Sequence, residues 1–318
     1  MTTMIEVMVI GSGPAGLSAA LTLGRARRST MLLDFGAPRN ARAHAVHNMF
    51  TRDGTPPAEL RQIGFDQLAS YPTVEVWKVA ADRIELGADG GFNVTLADNE
   101  TVSVRRVLLA TGIRDELPPI EGLAELWGSS VFACPYCHGY EVRDQRLVVL
   151  GATDQMIDLA FHLRRFSRDV VLCTNGEFGI DGHHRDLLNQ QGIDVETEVI
   201  ARLDASGDSL RAIVFADGRE LERDAMFAVG IPRQRSELAA QLGCNLLQDG
   251  SIKVSEFGQT TVPGVYAVGD MARRVNMPTL SAVIAASASG TLTGAVIDKD
   301  LLASDLGLPN PFAARSSS

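Results

Sequence analysis

The side chains best placed for chemistry are two cysteines in the run Cys134-Pro135-Tyr136-Cys137-His138-Gly139. A C-x-x-C pair at the start of a short helix can hold one sulfur as a thiolate at neutral pH, so it can cycle between dithiol and disulfide. His138, directly after it, can exchange protons near pH 7. The same spacing could be half of a zinc site, which would need two further ligands. Cys173 in VVLC and Cys244 lie in apolar or helical contexts without partners at metal-ligand spacing. Both read as buried core, and no metal is expected.

Glycines make the second constellation. The apolar run Ile5 to Ile10 leads into Gly11-Ser12-Gly13-Pro14-Ala15-Gly16, then a helical stretch to about Arg28 and a strand, Thr30 to Leu33, ending in Asp34. Gly11 permits the tight strand-to-helix turn, Gly13 lets backbone approach a pyrophosphate, and Gly16 lets the helix pack close to the sheet. Phosphates would sit at the helix N-terminus, where free N–H groups and the dipole favour them. Asp34, 18 residues after Gly16, is placed to accept hydrogen bonds from an adenosine ribose.

A similar unit recurs where Arg146 to Leu150 leads to Gly151, a helical segment around Ile157 to Phe166 and a strand at Asp169 to Cys173. Its turn reads Gly151-Ala152-Thr153-Asp154-Gln155-Met156, so only the first glycine survives. Thr153 puts a side chain where backbone should meet phosphate, Asp154 adds negative charge there, and Met156 is bulky where helix should touch sheet. Asp169 to His184 contains no Lys or Arg to receive the 2′-phosphate of NADPH. This unit is expected to keep the fold and bind no nicotinamide tightly.

These elements predict an α/β protein of two Rossmann-like domains: residues 1–115, an inserted 116–245 carrying CPYC, and 246–318 returning to the first. Pro118-Pro119 and Gly230-Ile231-Pro232 look like crossings. The returning part holds a strand at Gly264 to Ala267, Gly269-Asp270, and a small-residue helix from Ser281 to about Leu302. His183 and His184, in GIDGHHRD, read as a solvated loop, and Ala313 to Ser318 as a frayed tail. The formal net charge of −10 over 318 residues, without a basic block, argues against nucleic acid or an anionic membrane as partner. No apolar run approaches the roughly 18 residues that span a bilayer. Met1 to Ile10 lacks a basic region followed by a cleavable apolar stretch, so a cytoplasmic location is expected.

Taken together, GSGPAG, Ala110-Thr111-Gly112, the C-x-x-C pair and TTVPGVYAVGD (Thr260 to Asp270) resemble the low-molecular-weight thioredoxin reductase family. These flavoproteins have the class II pyridine nucleotide-disulfide oxidoreductase architecture, and the resemblance covers nearly the whole chain. It implies FAD on the first domain, held by the glycine turn, Asp34, the Ala110–Gly112 segment and Asp270. Ser281 and Ala282 would open a helix aimed at the flavin ring, stabilising its anionic reduced form. His47 and Asn48, in NARAHAVHN, are read as lining the same site. A homodimer is also implied.

Thioredoxin reductases carry an acid after the second cysteine, where this chain has His138. They also keep the second glycine motif and an arginine-rich NADPH loop, both missing here. CPYCHGYEVRD and DFGAPRN, which adds Arg39 and Asn40 to the cofactor set, resemble instead the dithiol oxidases that close disulfides in gliotoxin, holomycin and romidepsin, the bacterial romidepsin type most nearly. That resemblance implies a small-molecule dithiol attacking Cys134, Cys137 as the flavin-proximal sulfur, His138 taking up protons, and O2 accepting the electrons to give H2O2. The alternatives are a disulfide reductase driven by NAD(P)H or ferredoxin, and a flavin redox sensor without turnover.

Overall fold

Strands buried on both faces need continuous apolar runs, and IEVMVI, VLL, LVVL and VVLC supply them. The computed structural model describes residues 5–36, 38–278 and 281–312, so the tail from Ala313 to Ser318 lies outside the described residues. The chain opens with β1 (Ile5–Ile10), α1 (Pro14–Arg25), β2 (Thr30–Leu33), α2 (Pro57–Leu68), β3 (Val74–Trp77), β4 (Ala81–Leu86), β5 (Phe92–Leu96) and β6 (Thr101–Leu109). It crosses at β7 (Ile113–Glu116) into α3 (Leu123–Leu126), β8 (Val131–Phe132), α4 (Pro135–His138), β9 (Leu147–Leu150), α5 (Asp154–Leu163), β10 (Val170–Cys173), α6 (Gly182–Gln190) and β11 (Asp194–Glu196). An antiparallel sheet β12 (Ile200–Ser206), β13 (Ser209–Phe215), β14 (Glu220–Glu222) precedes β15 (Ala225–Ala228). After β16 (Ile231–Gln234) come α7 (Leu238–Gln241), β17 (Ile252–Lys253), β18 (Val265–Ala267), β19 (Ala272–Arg273) and α8 (Val283–Asp305).

Two units result. The first gathers the chain up to Ala41, Pro57–Arg114 and everything from Pro232 onward; the second holds Arg42–Pro56 and Asp115–Ile231. The return thus falls at 231–232, where the sequence shows Gly230-Ile231-Pro232, and not near 245. The physical reason is packing: Leu238, Ala239 and Cys244 are buried in the core of the first unit. Arg42–Pro56 joins the second unit because Arg42 donates to the carbonyls of Ala124 and Glu125, both at 2.7 Å.

The first sheet runs β3-β2-β1-β6-β5-β4, with β18 also paired to β6. Side chains alternate across it: Met8 and Ile10 face the core shared with Leu238 and Ile252, whereas Val7 and Val9 face α1 and α8. Helices α1 and α8 touch backbone to backbone, since a Cβ on Gly290 would stand 2.0 Å from the Ala15 carbonyl oxygen. Glycine is therefore a packing requirement at Gly290, and Gly294, whose Cβ would stand 3.1 Å from the Ala19 carbonyl oxygen, leaves little more room. The second sheet, β11-β10-β9-β15-β8, is wholly parallel, with Leu147 and Val149 on one face and Val148 and Leu150 on the other. Among the described residues no helix is long and apolar enough to cross a membrane.

Candidate active site

Cys134 and Cys137 are joined by a disulfide, with Cys134 as the N-cap of the one-turn α4. The Cys137 and His138 amides both donate to the Cys134 carbonyl at 3.2 Å, which folds the motif around its own first residue. His138 stacks on Phe132, ring centroids 4.4 Å apart. Its Nδ1 and Nε2 are buried, and neither meets a hydrogen-bond partner among the described residues. Burial, with smaller contributions from the nearby His47 and His44, pushes His138 from 6.5 down to about 4. It is a neutral imidazole at pH 7, where the motif alone suggests a group titrating there.

His47 and Asn48, expected at the cofactor, are found in the second unit. His47 lies between carboxylates, Nδ1 3.7 Å from Asp53 and Nε2 3.6 Å from Glu141, and the Asn48 backbone N–H donates to Asp53 Oδ1 at 2.6 Å. These contacts tie the segment to the stretch following CPYCHG. Tyr136, between the two cysteines, meets His162 edge-on at 5.0 Å and opens a cleft of about 620 Å³ lined also by Tyr140, Arg143 and Phe166. Cys173 and Cys244 are buried, and burial pushes Cys173 up to about 12, so neither offers a thiolate. His183 and His184 begin α6 instead of sitting in a loop, because Asp181 caps the helix by accepting from the His184 amide at 3.0 Å.

The first glycine turn is built as its spacing demands. Gly11 has φ +111°, and a Cβ there would stand 2.4 Å from the Ala110 carbonyl oxygen; one on Gly16 would stand 1.8 Å from that of Gly11. Gly13, the N-cap of α1, has open space where its Cβ would be, and no side chain caps the helix. Pro14 occupies the first turn, followed by Ala15 and Gly16, with no acid there. The Ala110 amide donates to the Ile10 carbonyl at 2.9 Å, while Thr111 Oγ1 and the Gly112 amide lie 3.2 and 3.3 Å from Met271 Sδ. Arg39 Nη1 donates to Asp270 at 2.9 Å, with Asn40 in the adjoining turn. Ser281 and Ala282 precede α8, Ala282 being its N-cap without a side-chain cap.

Sequence reasoning missed Arg61. From α2 it contacts both Asp34 and Ser12, while Asp34 Oδ2 takes no donor among the described residues. Its distance along the chain gave no signal, and nothing in α2 resembles a motif. Open space over Gly13, uncapped first-turn amides and a half-occupied Asp34 carboxylate fit a dinucleotide.

The second turn is filled. Gly151 keeps φ +145°, yet a Cβ there would stand 2.6 Å from Cγ of the buried Met156. Thr153 is the N-cap of α5 and Asp154 lies in its first turn.

The model of the pyridine nucleotide-disulphide oxidoreductase family matches residues 5–290. The thioredoxin reductase sirT of Leptosphaeria maculans is 32% identical, over 96% of this chain and 96% of its own length. The thioredoxin reductase tcpT of Claviceps purpurea is also 32% identical, over 95% and 96%. The crystal structure of HlmI superposes with a TM-score of 0.88 at 36% identity, over 96% of this chain and 95% of its own. The oxidoreductase from Agrobacterium tumefaciens gives 0.87 at 33%, over 94% and 99%. Families of this fold are flavoproteins, with FAD as the usual cofactor.

Proposed function

The chain belongs to the pyridine nucleotide-disulphide oxidoreductase family and is an oxidoreductase acting on disulfides; from that premise we propose that it oxidises a small-molecule dithiol to an intramolecular disulfide. The cofactor in this reading is FAD, the final acceptor O2, and the active form a homodimer. One observation carries the direction of electron flow: the second dinucleotide turn is occupied by Met156, with Asp154 in the helix turn where phosphates would need positive potential. Electrons then enter from thiols and not from a nicotinamide.

A substrate thiolate attacks Cys134 Sγ, and the Cys134–Cys137 bond breaks to leave Cys137 as thiolate. The second substrate thiol, losing its proton, attacks the substrate sulfur bound to Cys134. That mixed disulfide breaks, the product ring closes, and Cys134 leaves as thiolate. Ring closure is fast because both sulfurs belong to one molecule. The substrate loses two electrons and two protons, and the cysteine pair gains the electrons. The first thiol's proton is in solvent before its thiolate attacks; His138, neutral, accepts the second thiol's proton and releases it to solvent without storing it, since its conjugate acid is strong. The glycine turn and Asp34 would hold FAD, which when bound supplies the two-electron acceptor that restores the disulfide and delivers the pair to O2, giving H2O2.

The test is an anaerobic titration of the purified flavoprotein, first with NADPH and then with dithiothreitol. The expected result is bleaching by the dithiol alone, followed in air by repeated O2 uptake and H2O2 release. Fast bleaching by NADPH would establish a reductase, and a single oxidation without repeated O2 uptake would establish a sensor.

A further inference from the structure

We infer that Arg61 is a positioning residue for the adenosine half of the flavin dinucleotide, acting through Asp34; the inference rests on the FAD reading above. Arg61 lies on α2, 27 residues after Asp34, and reaches back to the end of β2. Its Nη2 contacts Asp34 Oδ1 and donates to Ser12 Oγ at 2.8 Å, and the Ser12 hydroxyl donates to the same Asp34 oxygen at 2.5 Å. The three groups close a triangle in which Arg61 Nη2 serves both Asp34 and Ser12 and the Ser12 hydroxyl proton goes to Asp34. Among the described residues every donor to the carboxylate converges on Oδ1 and Oδ2 takes none.

A carboxylate held by one oxygen presents the other in a set direction. An acid at the end of the second strand of a dinucleotide fold is where ribose hydroxyls dock. Without Arg61, Asp34 would keep only Ser12, whose hydroxyl rotates. Arg61 is itself fixed: its guanidinium lies 4.9 Å over the Phe65 ring, four residues on along α2, and its Nε reaches the Ser12 carbonyl at 3.4 Å. Ser12 belongs to the glycine turn and is buried, so the guanidinium couples the turn beneath the phosphates to the acid that receives the ribose. The effect expected is preorganisation, which strengthens binding by reducing what must be ordered when the ligand arrives.

The experiment titrates flavin-free protein with FAD, ADP and FMN, the first two carrying adenosine and the last lacking it. Arg61→Ala is expected to raise the dissociation constants of FAD and ADP by about tenfold each, the usual scale for a charge-assisted contact, and to leave FMN within about twofold. Arg61→Lys should recover only part, because an ammonium lacks the planar fork that serves Ser12 and Asp34 together. In an Asp34→Ala background the Arg61→Ala change should add nothing. Should Arg61→Ala fail to fold, Arg61→Gln supports the same comparison. FAD affinity unchanged within about twofold, or FMN weakened as much as FAD, overturns the inference. Wild-type protein that takes neither FAD nor ADP overturns the flavin reading itself and this inference with it, a result separate from any effect of the variants.

Discussion

In the first unit the helix after the glycine turn comes so near that a Cβ on Gly16 would stand 1.8 Å from the Gly11 carbonyl; in the second the matching residue is Met156, packed against Gly151. The first helix opens on Gly13 with no acid in its first turn, and the second opens on Thr153 followed by Asp154. The sheets beneath are equally well built, with β1 and β9 each covered on both faces. A Rossmann-like unit is thus two separable things. Its sheet is stabilised by burial of apolar side chains, which needs no ligand. Its turn must pack helix against strand in either case, by close backbone approach at Gly11 and Gly16 or by a side chain such as Met156; only a phosphate needs the open glycine form, so the turn can fill while the sheet stays intact. The second unit supports the disulfide, and the first retains the dinucleotide turn.

The sharpest way to break this division of labour is to remove sulfur. Cys134→Ser and Cys137→Ser should each reduce turnover by about a thousandfold or more while the purified protein keeps its flavin absorbance. Substantial dithiol oxidation by either variant would refute the relay. Loss of flavin would show that the two units are not independent. Next in size is an exchange of turn residues. Gly16→Val should yield protein without flavin, because its Cβ has no room beside the Gly11 carbonyl. Met156→Ala should keep flavin and lower stability by about 2–5 kcal/mol in urea unfolding, as for other buried methionines.

His138 gives a pH-dependent effect. Its folded-state value, about 4, lies below the 6.5 of the unfolded chain, so the unfolded state takes up the proton first as pH falls. The stability it contributes is complete above about pH 6.5 and lost on acidification towards about 4, a change on the order of 3 kcal/mol. Subtracting unfolding curves of His138→Gln from those of the wild type should isolate that slope. The wild-type pH–rate profile should show no inflection near 6.5 that His138→Ala removes; finding one would refute the neutral imidazole. Smallest is Tyr136→Ala, which opens the cleft beside the motif and should raise KM roughly two- to fivefold with kcat little changed, as loss of one aromatic contact would do.

Much of this was readable from residue type and spacing. Gly11, Gly13 and Gly16 announce their turn because each requirement is local, and VVLC reads as buried strand because Cys173 shares its apolar run. Asp181 could have revealed the start of α6, since an acid three residues before His184 is an N-cap signal. The return at 231–232 was harder to read, as Leu238 to Cys244 could pack in either unit and only the assembled core assigns them.

What the amino-acid order determined by itself was the chemistry available: a C-x-x-C pair, one intact and one degraded dinucleotide turn, and an acid at the end of the second strand. Those features depend on backbone conformation and spacing over a few residues. The tertiary structure decided the state of the groups: a neutral His138 stacked on Phe132, His47 set between Asp53 and Glu141, and Arg61 closing on Asp34 and Ser12. Burial and hydrogen bonding set proton affinity and orientation, and they arise where distant parts of the chain meet.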